Sequence, residues 1–465
     1  MFQFQEVYIE VHTKVLKRKK KQDSLSPAKV LTFGFTLIIV IGTFLLSLGP
    51  ASASGQKLGL VDAFFMATSA VCVTGLVVVD PATQFSLFGE LTLIILTQIG
   101  GLGFMTMGTL IALAFNRRIS LRDRLVLQEA MKQNTLEGLV SLIRRVAVYS
   151  FVIESAGALL LTIRWSFDMP LSQALYYGVF HSISIFNNAG FDLFGAVHGP
   201  YSGLSAYVSD PFVNIVVIVL IVLGGIGFIV LADLLSFRTT RRLSLHSKVV
   251  LTVSGILIVA GSLLIFVMEV FKSPAFQELS LTDQIFAAVF HSVSARSGGV
   301  STLSVSDMQQ STQFLLLLLM FIGAAPGSTG GGIKVTVFAI LIGAMYAMLR
   351  GKEDIVFFRK RLSKESILRA ITQTWLALFL VILTAMILSA VEDRAFLALL
   401  FETTSAFATS GLSLDVTTKL TDFSKVVLGL VMFLGRIGPL TLVYALTPKS
   451  KKELFRYPEG DFIIG

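Results

Sequence analysis

Four stretches of this chain repeat one pattern, and that repetition limits the fold more than any other feature. They are "FMATSAVCVTGL" from Phe65, "FHSISIFNNAGF" from Phe180, "FHSVSARSGGV" from Phe290 and "FETTSAFATSGL" from Phe401. In each, a serine follows the phenylalanine by four positions: Ser69, Ser184, Ser294 and Ser405. Glycine follows at ten positions in three of them (Gly75, Gly190, Gly411) and at nine in the third, where a one-residue deletion leaves Gly298 and Gly299 as candidates. Gly299 is the better match because an apolar residue follows it, as in the other three. A second marker recurs downstream as "IGGLGF", "LGGIGF", "IGAAPG" and "LGRIGP", led by Gly100, Gly224, Gly323 and Gly435. A unit repeated at this length is an architectural array, and its elements must be read together.

The setting is lipid. Hydrophobic residues make up 54% of the 465 and charged residues only 14%, against about 25% charged in soluble domains. The net charge of +9 falls in short clusters beside apolar spans, which argues for topology rather than nucleic-acid binding. Lys14 to Lys21, Arg117 to Arg124, Arg144 with Arg145, Arg238 to Arg242, Arg350 to Arg361 and Lys449 to Arg456 fit one cytoplasmic side, with both termini inside. The amino-terminal "KVLKRKKK" reads as a retained cytoplasmic arm. The single cysteine, Cys72, excludes an intrachain disulfide framework.

Each repeat combines a full apolar outer span, a shorter apolar half-span ending at the glycine, and an inner span. The half-spans 62–74, 173–189, 282–298 and 394–410 hold too few residues to cross ~30 Å of hydrocarbon, so they re-enter. Non-helical backbone at that depth is tolerated only when buried in protein or lining a water-filled cavity. Four such segments around one axis would present carbonyl oxygens to a cation, with the negative ends of the half-helices aimed at it. Glycine suits a strand whose carbonyls must turn inward. Helix capping accounts for one glycine, but not for four at a fixed spacing.

The expected fold is therefore an all-α integral membrane protein, with four repeats of outer helix, re-entrant pore helix with filter strand, and inner helix, arranged pseudo-fourfold around one central pore. Its parts are a cytoplasmic arm (1–29), pore repeats at 30–118, 119–240, 241–351 and 352–448, and a cytoplasmic tail (449–465).

These residues carry a resemblance. "TSAVCVTGLVVVD", "TQIGGLGFMT", "FNNAGF", "GSTGGGIK", "FLGRIGPLT" and the tail "RYPEGDFIIG" are similar to the Trk/Ktr/HKT superfamily of potassium transporters, above all to the bacterial Ktr membrane subunits. The resemblance implies a single-chain counterpart of a four-subunit potassium channel, with each filter signature reduced to one glycine. It assigns ion coordination to the backbone around Val73, Thr74, Gly75, Asn188, Ala189, Gly190, Ser297, Gly298, Gly299, Thr409, Ser410 and Gly411. Glycine in all four repeats is the potassium-selective pattern of that superfamily. The resemblance also implies potassium as the transported ion and sodium as a possible activator. It further implies a homodimer in the bacterial plasma membrane on a cytoplasmic ring of RCK-type, KtrA-like subunits, which would carry the nucleotide. No covalently bound cofactor is expected.

"GAAPGSTGGGIK", residues 323–334, lies inside an apolar stretch. Residues 313–350 would run ~57 Å as one helix, nearly twice the hydrocarbon thickness, so the third inner span must break. Gly323, Pro326, Gly327, Gly330, Gly331 and Gly332 mark the place, with Lys334 after them. A loop here would hang hydrated below the filter and block the path, and the resemblance implies such a gate; a static kink is the alternative. A phosphate loop is disfavoured because Ile333 separates the glycines from Lys334 and no strand precedes them.

Arg436 in "FLGRIGPLT" lies mid-span, where a lone arginine costs at least a few kcal/mol on insertion scales. It is expected to act as a barrier to cations and as an anchor for the 323–332 loop. Glu154 and Glu402 suit hydrogen bonding to neighbouring pore helices, with ion contact as the alternative. Arg296 suits a brace behind the filter, His181 and His291 polar bracing, and Asp233 a solvated place at the inner mouth. No set of convergent nucleophiles, acids or metal ligands points to an enzyme. Potassium uptake through a gated pore is the expected function. The alternatives are a sodium/potassium symporter and a less selective monovalent cation channel.

Overall fold

The computed structural model describes residues 27–103, 106–107, 109–110, 125–128, 139–352 and 354–438. Most of the arm 1–29, the 118/119 boundary and the tail 449–465 lie outside the described residues. So do the clusters Lys14 to Lys21, Arg117 to Arg124 and Lys449 to Arg456.

The first unit contains α1 (Pro27–Leu46), α2 (Leu60–Cys72) and α3 (Leu87–Leu102). The second contains α4 (Leu139–Trp165), α5 (Leu171–Phe186), α6 (Pro211–Gly225) and α7 (Phe228–Thr240). The third contains α8 (Leu245–Glu269), α9 (Leu281–Ser294), α10 (Gln310–Ile322) and α11 (Val335–Leu349). A small antiparallel hairpin, β1 (Val356–Phe357) and β2 (Lys360–Arg361), precedes the fourth unit of α12 (Lys364–Val391), α13 (Phe396–Ala408) and α14 (Asp422–Ile437). The outer helices α1, α4, α8 and α12 are long and apolar enough to span a membrane, and much of their apolar surface faces outward. A face that lipid solvates needs no protein partner, which is why Phe33, Phe151, Val259 and Trp375 stay exposed.

Helix starts are set by local chemistry. Ser86, Ser244, Ser280, Ser363 and Thr421 each accept a bond from a first-turn amide of α3, α8, α9, α12 and α14, satisfying donors that have no partner within the helix. Asp210 does this twice for α6, ahead of Pro211.

The packing follows one rule. Each half-helix lies against the outer helix of its own unit: α2 on α1, α5 on α4, α9 on α8, α13 on α12. The inner helix of each unit then meets the half-helix of the next: α3 with α5, α6 with α9, α10 with α13, and α14 with α2. The last pair joins the end of the chain to its beginning.

Glycine makes that packing close. A Cβ on Gly100 would stand 2.0 Å from the Val71 carbonyl oxygen, one on Gly224 2.0 Å from that of Phe186, and one on Gly435 1.9 Å from that of Phe407. Backbone thus rests on the carboxy-terminal end of the half-helix. The third unit departs from this: the equivalent space at Gly323 is taken by the carbonyl oxygen of Gly331, from its own following loop.

The third inner span breaks as the length argument requires, with α10 ending at Ile322 and α11 resuming at Val335. The sequence reading missed a second break: α6 and α7 meet at a bend of 103° across Gly225 to Gly227. The cause recurs, since Gly103, Gly227 and Gly438, three residues after the marker glycines, all have left-handed backbone at φ 82°, 89° and 89°, which stops α3, α6 and α14 alike.

Gly435→Ala is expected to lose about 1–3 kcal/mol by overpacking, whereas Gly255→Ala in α8, with nothing within 4 Å of its Cβ position, is expected to hold or gain up to about 1 kcal/mol. The thermal unfolding midpoints of the two detergent-purified variants, followed by tryptophan fluorescence, check this.

Candidate functional site

The half-helices α2, α5, α9 and α13 all end at one place, and the backbone that follows has one shape. The residue two before each repeat glycine is left-handed: Val73 (φ 58°), Asn188 (59°), Ser297 (93°) and Thr409 (48°). The glycines are left-handed too, with Gly75 at 85°, Gly190 at 74°, Gly299 at 72° and Gly411 at 88°. Gly299 has this angle and Gly298 does not, so the one-residue deletion is absorbed before it. The third serine carbonyl receives the amide four residues on (Ser294 to Gly298), where the others receive the fifth.

The four glycines are neighbours in a closed cycle. A Cβ on Gly75 would lie 1.9 Å from the Ala189 carbonyl oxygen, one on Gly190 2.7 Å from Gly299, one on Gly299 2.8 Å from the Ser410 carbonyl oxygen, and one on Gly411 2.3 Å from the Thr74 carbonyl oxygen. Val73, Thr74, Asn188, Ala189, Ser297, Thr409 and Ser410 are completely buried. Carbonyls from four segments thus crowd one small region at the negative ends of four half-helices, an environment that attracts a cation.

The repeated serines, which the sequence supplied only as markers, tie each segment to its half-helix. Ser69 donates to the Leu76 carbonyl at 2.7 Å and accepts from the Gly75 amide at 3.1 Å. Ser184 donates to Phe191 at 2.7 Å, Ser294 to Val300, and Ser405 accepts from the Gly411 amide at 3.1 Å. Their fourfold recurrence was the available signal. Segments three and four are also stitched together, Ser297 to the Thr409 carbonyl at 2.9 Å and Ser410 to that of Ala295 at 3.1 Å.

Behind the segments stand buried polar groups. Both carboxylate oxygens of Glu154 accept from Gln98 Nε2 at 3.0 and 3.1 Å, and one accepts from Asn187 Nδ2 at 3.2 Å. Glu402 accepts from Ser413 Oγ at 2.6 Å, the Leu414 amide at 2.9 Å and Thr417 Oγ1 at 2.5 Å. Glu154 therefore ties the end of α5 to α3 and α4. Glu402 reaches the loop of its own unit rather than a neighbouring pore helix. His181 pairs with the Tyr177 carbonyl at 2.8 Å and the Leu193 amide at 3.2 Å, and His291 with the carbonyls of Ala287 and Leu303 at 2.8 and 3.3 Å. Asp233 is not simply solvated: it accepts from Ser247 Oγ at 2.5 Å and the Ser244 amide at 3.3 Å, joining α7 to the start of α8.

The 323–334 loop packs against Phe186 at the end of α5, Ser297 of the third segment and Thr409 of the fourth. It is left-handed at Gly323, Gly327, Gly332 and Lys334, and residues 323–325 and 329–333 are buried, with Pro326 among the half-buried ones between them. It is not the freely hydrated loop expected from the sequence, because neighbouring backbone supplies its partners. The Ala325 amide donates to the Gly225 carbonyl at 2.9 Å, the Phe228 amide to Gly327 at 2.9 Å, the Val335 amide to Ala324 at 3.1 Å, and the Gly331 amide to Ser297 Oγ at 3.3 Å. The α6–α7 break thus provides the groups that hold the loop.

Three cationic side chains grip the same loop. Arg296 reaches the Gly323 carbonyl at 3.4 Å while donating to the backbone and hydroxyl of Ser254 at 3.3 and 3.0 Å. Lys334 Nζ lies 2.5 Å from the Gly330 carbonyl oxygen and 3.0 Å from that of Gly331. Arg436 donates to the Thr329 carbonyl and, on its other side, to those of Gly100 and Gly101.

A chain with this geometry matches the family profile of the TrkH cation transport proteins over residues 7–453. The chain belongs to that family. It is 40% identical over 440 residues to the Ktr system potassium uptake protein B of Bacillus subtilis, covering 95% of this chain and 97% of the relative. It is 33% identical to the potassium/sodium uptake protein NtpJ of Enterococcus hirae, over 97% of this chain and all of that one. The crystal structure of the potassium transporter TrkH from Vibrio parahaemolyticus superposes with a TM-score of 0.69 at 18% identity, covering 92% of this chain and 86% of that one. The TrkH-family fold is thus shared well beyond close sequence similarity.

Beyond the second glycine, Asp192 bonds the Phe194 amide at 3.1 Å. The affinity of the purified protein for rubidium, measured by titration at fixed pH, is expected to fall in Asp192→Asn, which replaces a carboxyl two residues from Gly190.

Proposed function

We propose that this chain is a potassium uptake pore, with the four glycine-centred segments as its filter and the 323–334 loop as its gate. The observation that carries the reading is the closed cycle Gly75, Gly190, Gly299, Gly411, each left-handed and each filling its Cβ space with the neighbouring segment's backbone. Oxygens held this way replace a hydration shell without side-chain entropy to lose. Potassium is favoured by glycine in all four segments and by the relatives named above, a potassium uptake protein and a potassium/sodium uptake protein.

The gate reading rests on position and charge. The loop packs against the third and fourth segments, and Arg436 bridges its Thr329 carbonyl to the end of α3. A cation passing there would meet a fixed guanidinium and a closed backbone, so conduction requires the loop to leave. The free energy for that movement comes from outside the membrane span in this reading: a homodimer seated on a cytoplasmic nucleotide-binding ring, with sodium as a possible activator. Both termini are cytoplasmic in the same scheme.

Growth of an uptake-deficient bacterium at low potassium, with the regulatory subunit supplied, is expected to be rescued by this chain; no rescue overturns the proposal. Gly75→Ser and Gly411→Ser are expected to reduce potassium-over-sodium selectivity by tenfold or more with protein level unchanged, read by ion flux in proteoliposomes. Unaltered selectivity in both counts against the filter. Arg436→Gln is expected to raise potassium flux in the absence of the regulatory subunit, and equal flux removes the arginine from the gate.

A further inference from the structure

Arg296 follows the end of α9 and is only 8% exposed. Its hydrogen bonds all go to neutral groups: Nη1 to the Ser254 carbonyl at 3.3 Å, and Nη2 to Ser254 Oγ at 3.0 Å and the Gly323 carbonyl at 3.4 Å. Nε is buried with no partner in the protein. A buried charge is ordinarily paired and its donors used, so this guanidinium calls for an anion. The same side chain lines a crevice. Ile221 and Val222 of α6, Ile226 just beyond it, Ile258 of α8 and Val293 of α9 make its wall apolar, and Gly225, Ser254 and Ala324 complete it. Counted to its open side it offers about 310 Å³, the lower end of the range for small-ligand sites. Ser254 lies ~14 Å along α8 from its start at Leu245, so the crevice is at mid-span depth. Ile256 and Val259 of the same helix are exposed to lipid.

We infer that this crevice binds a long-chain carboxylate, whose head pairs side-on with Nε and Nη2 of Arg296 and whose alkyl chain follows the apolar wall toward lipid. The site stands on the crevice alone; its effect on the loop rests on the pore reading above. Nε and Nη2 share one edge of the planar guanidinium and match the two oxygens of a carboxylate. The pair cancels a charge that otherwise stands alone in the membrane span. Phospholipid head groups stay at the bilayer surface, whereas a carboxylic acid reaches mid-span as the neutral acid. Ionised against the guanidinium, it leaves its proton to the aqueous phase. Occupancy also acts in one direction. Nη2 is the atom that reaches Gly323, at the start of the loop, and that bond is the longest of the three. A carboxylate on this edge draws Nη2 off the Gly323 carbonyl, and an alkyl chain beside Gly225 and Ala324 presses where the Ala325 amide docks on Gly225. The bound state therefore favours a released loop by differential binding.

The test equilibrates a diazirine-bearing dodecanoate with the full-length protein in phosphatidylcholine nanodiscs, irradiates it and maps the labelled peptides by mass spectrometry. Label is expected on the peptides holding Ile221 to Ile226 or Ser254 to Ile258, competed away by excess dodecanoate and not by dodecanol. Arg296→Gln, which removes the cation, and Ile258→Phe, which fills the crevice, are each expected to reduce that label about tenfold. Label unchanged in both variants overturns the inference, as does equal competition by dodecanol or label confined to other segments. Should Arg296→Gln fail to fold, Ile258→Phe decides it, since that variant keeps the arginine. In proteoliposomes without the regulatory subunit, dodecanoate is expected to raise rubidium flux through the wild type about threefold and to have no such effect on Ile258→Phe. Equal flux with the label intact overturns the link to the loop. A chain that carries no potassium or rubidium under any condition, with the label intact, overturns the pore reading instead, so the two failures are distinguishable.

Discussion

The structure depends on bare backbone meeting the carboxy-terminal ends of short helices inside a membrane. A carbonyl left without a partner in hydrocarbon costs several kcal/mol, and four half-helices ending near one point leave many such carbonyls together. Here the marker glycines Gly100, Gly224 and Gly435 bring backbone onto the carbonyls of Val71, Phe186 and Phe407. The repeat serines tie the succeeding residues back to the half-helices. What remains turned inward is the set of oxygens at the glycines, surplus acceptors concentrated where the helix dipoles are negative. That electrostatic excess is what would favour a cation at this point.

Because each inner helix touches the half-helix of the following unit, the four units support one another in sequence, and the fourth completes the set against the first. A change at one glycine is therefore felt in two units. The residues behind the four glycine segments follow the same logic. Glu154 binds α4 to both the inner helix of the first unit and the end of α5. Arg296 joins the third segment to α8 and to the start of the loop. Neither side chain has an opposite charge in hydrogen-bond range among the described residues; amides, hydroxyls and carbonyls take that place. Isolated ionisable groups in a membrane are tolerated when such dipoles surround them.

Much of this was legible in the sequence, because the information there is periodic. The half-span limits, expected at 62–74 and 394–410, correspond to α2 at Leu60–Cys72 and α13 at Phe396–Ala408. The choice of Gly299 over Gly298 followed from one apolar neighbour and agrees with the backbone angles. Other features were not legible, because they arise between units. The 103° bend after α6 looks in sequence like "LGGIGF", much as α3 reads "IGGLGF", and only its contact with the loop reveals its use. The packed state of the loop was misread for a related reason. Glycine-rich composition implies freedom in isolation, whereas here Gly225, Ala324 and Gly327 supply partners that composition does not announce.

The third unit departs from the fourfold array at the loop proposed as the gate. In the other units the marker glycine seats the inner helix on its own half-helix. In "IGAAPGSTGGGIK" the same glycine faces the Gly331 carbonyl, and Gly331 has instead moved against the Ala408 carbonyl and Thr409 of the next unit. The loop therefore makes close contacts with the next unit as well as with the end of its own helix α10. Its attachments are hydrogen bonds to Gly225, Ser297 and three cationic side chains, beside the buried Ala324, Ala325 and Ile333. Each such bond is worth about 1 kcal/mol net, and more where a charge takes part. In the gate reading, an element held by separable bonds inside a rigid frame would move for a few kcal/mol, within reach of a ligand or a docked partner. In the proposed pore, breaking the repeat in one unit would supply the movable part while the other three units keep the glycine segments framed.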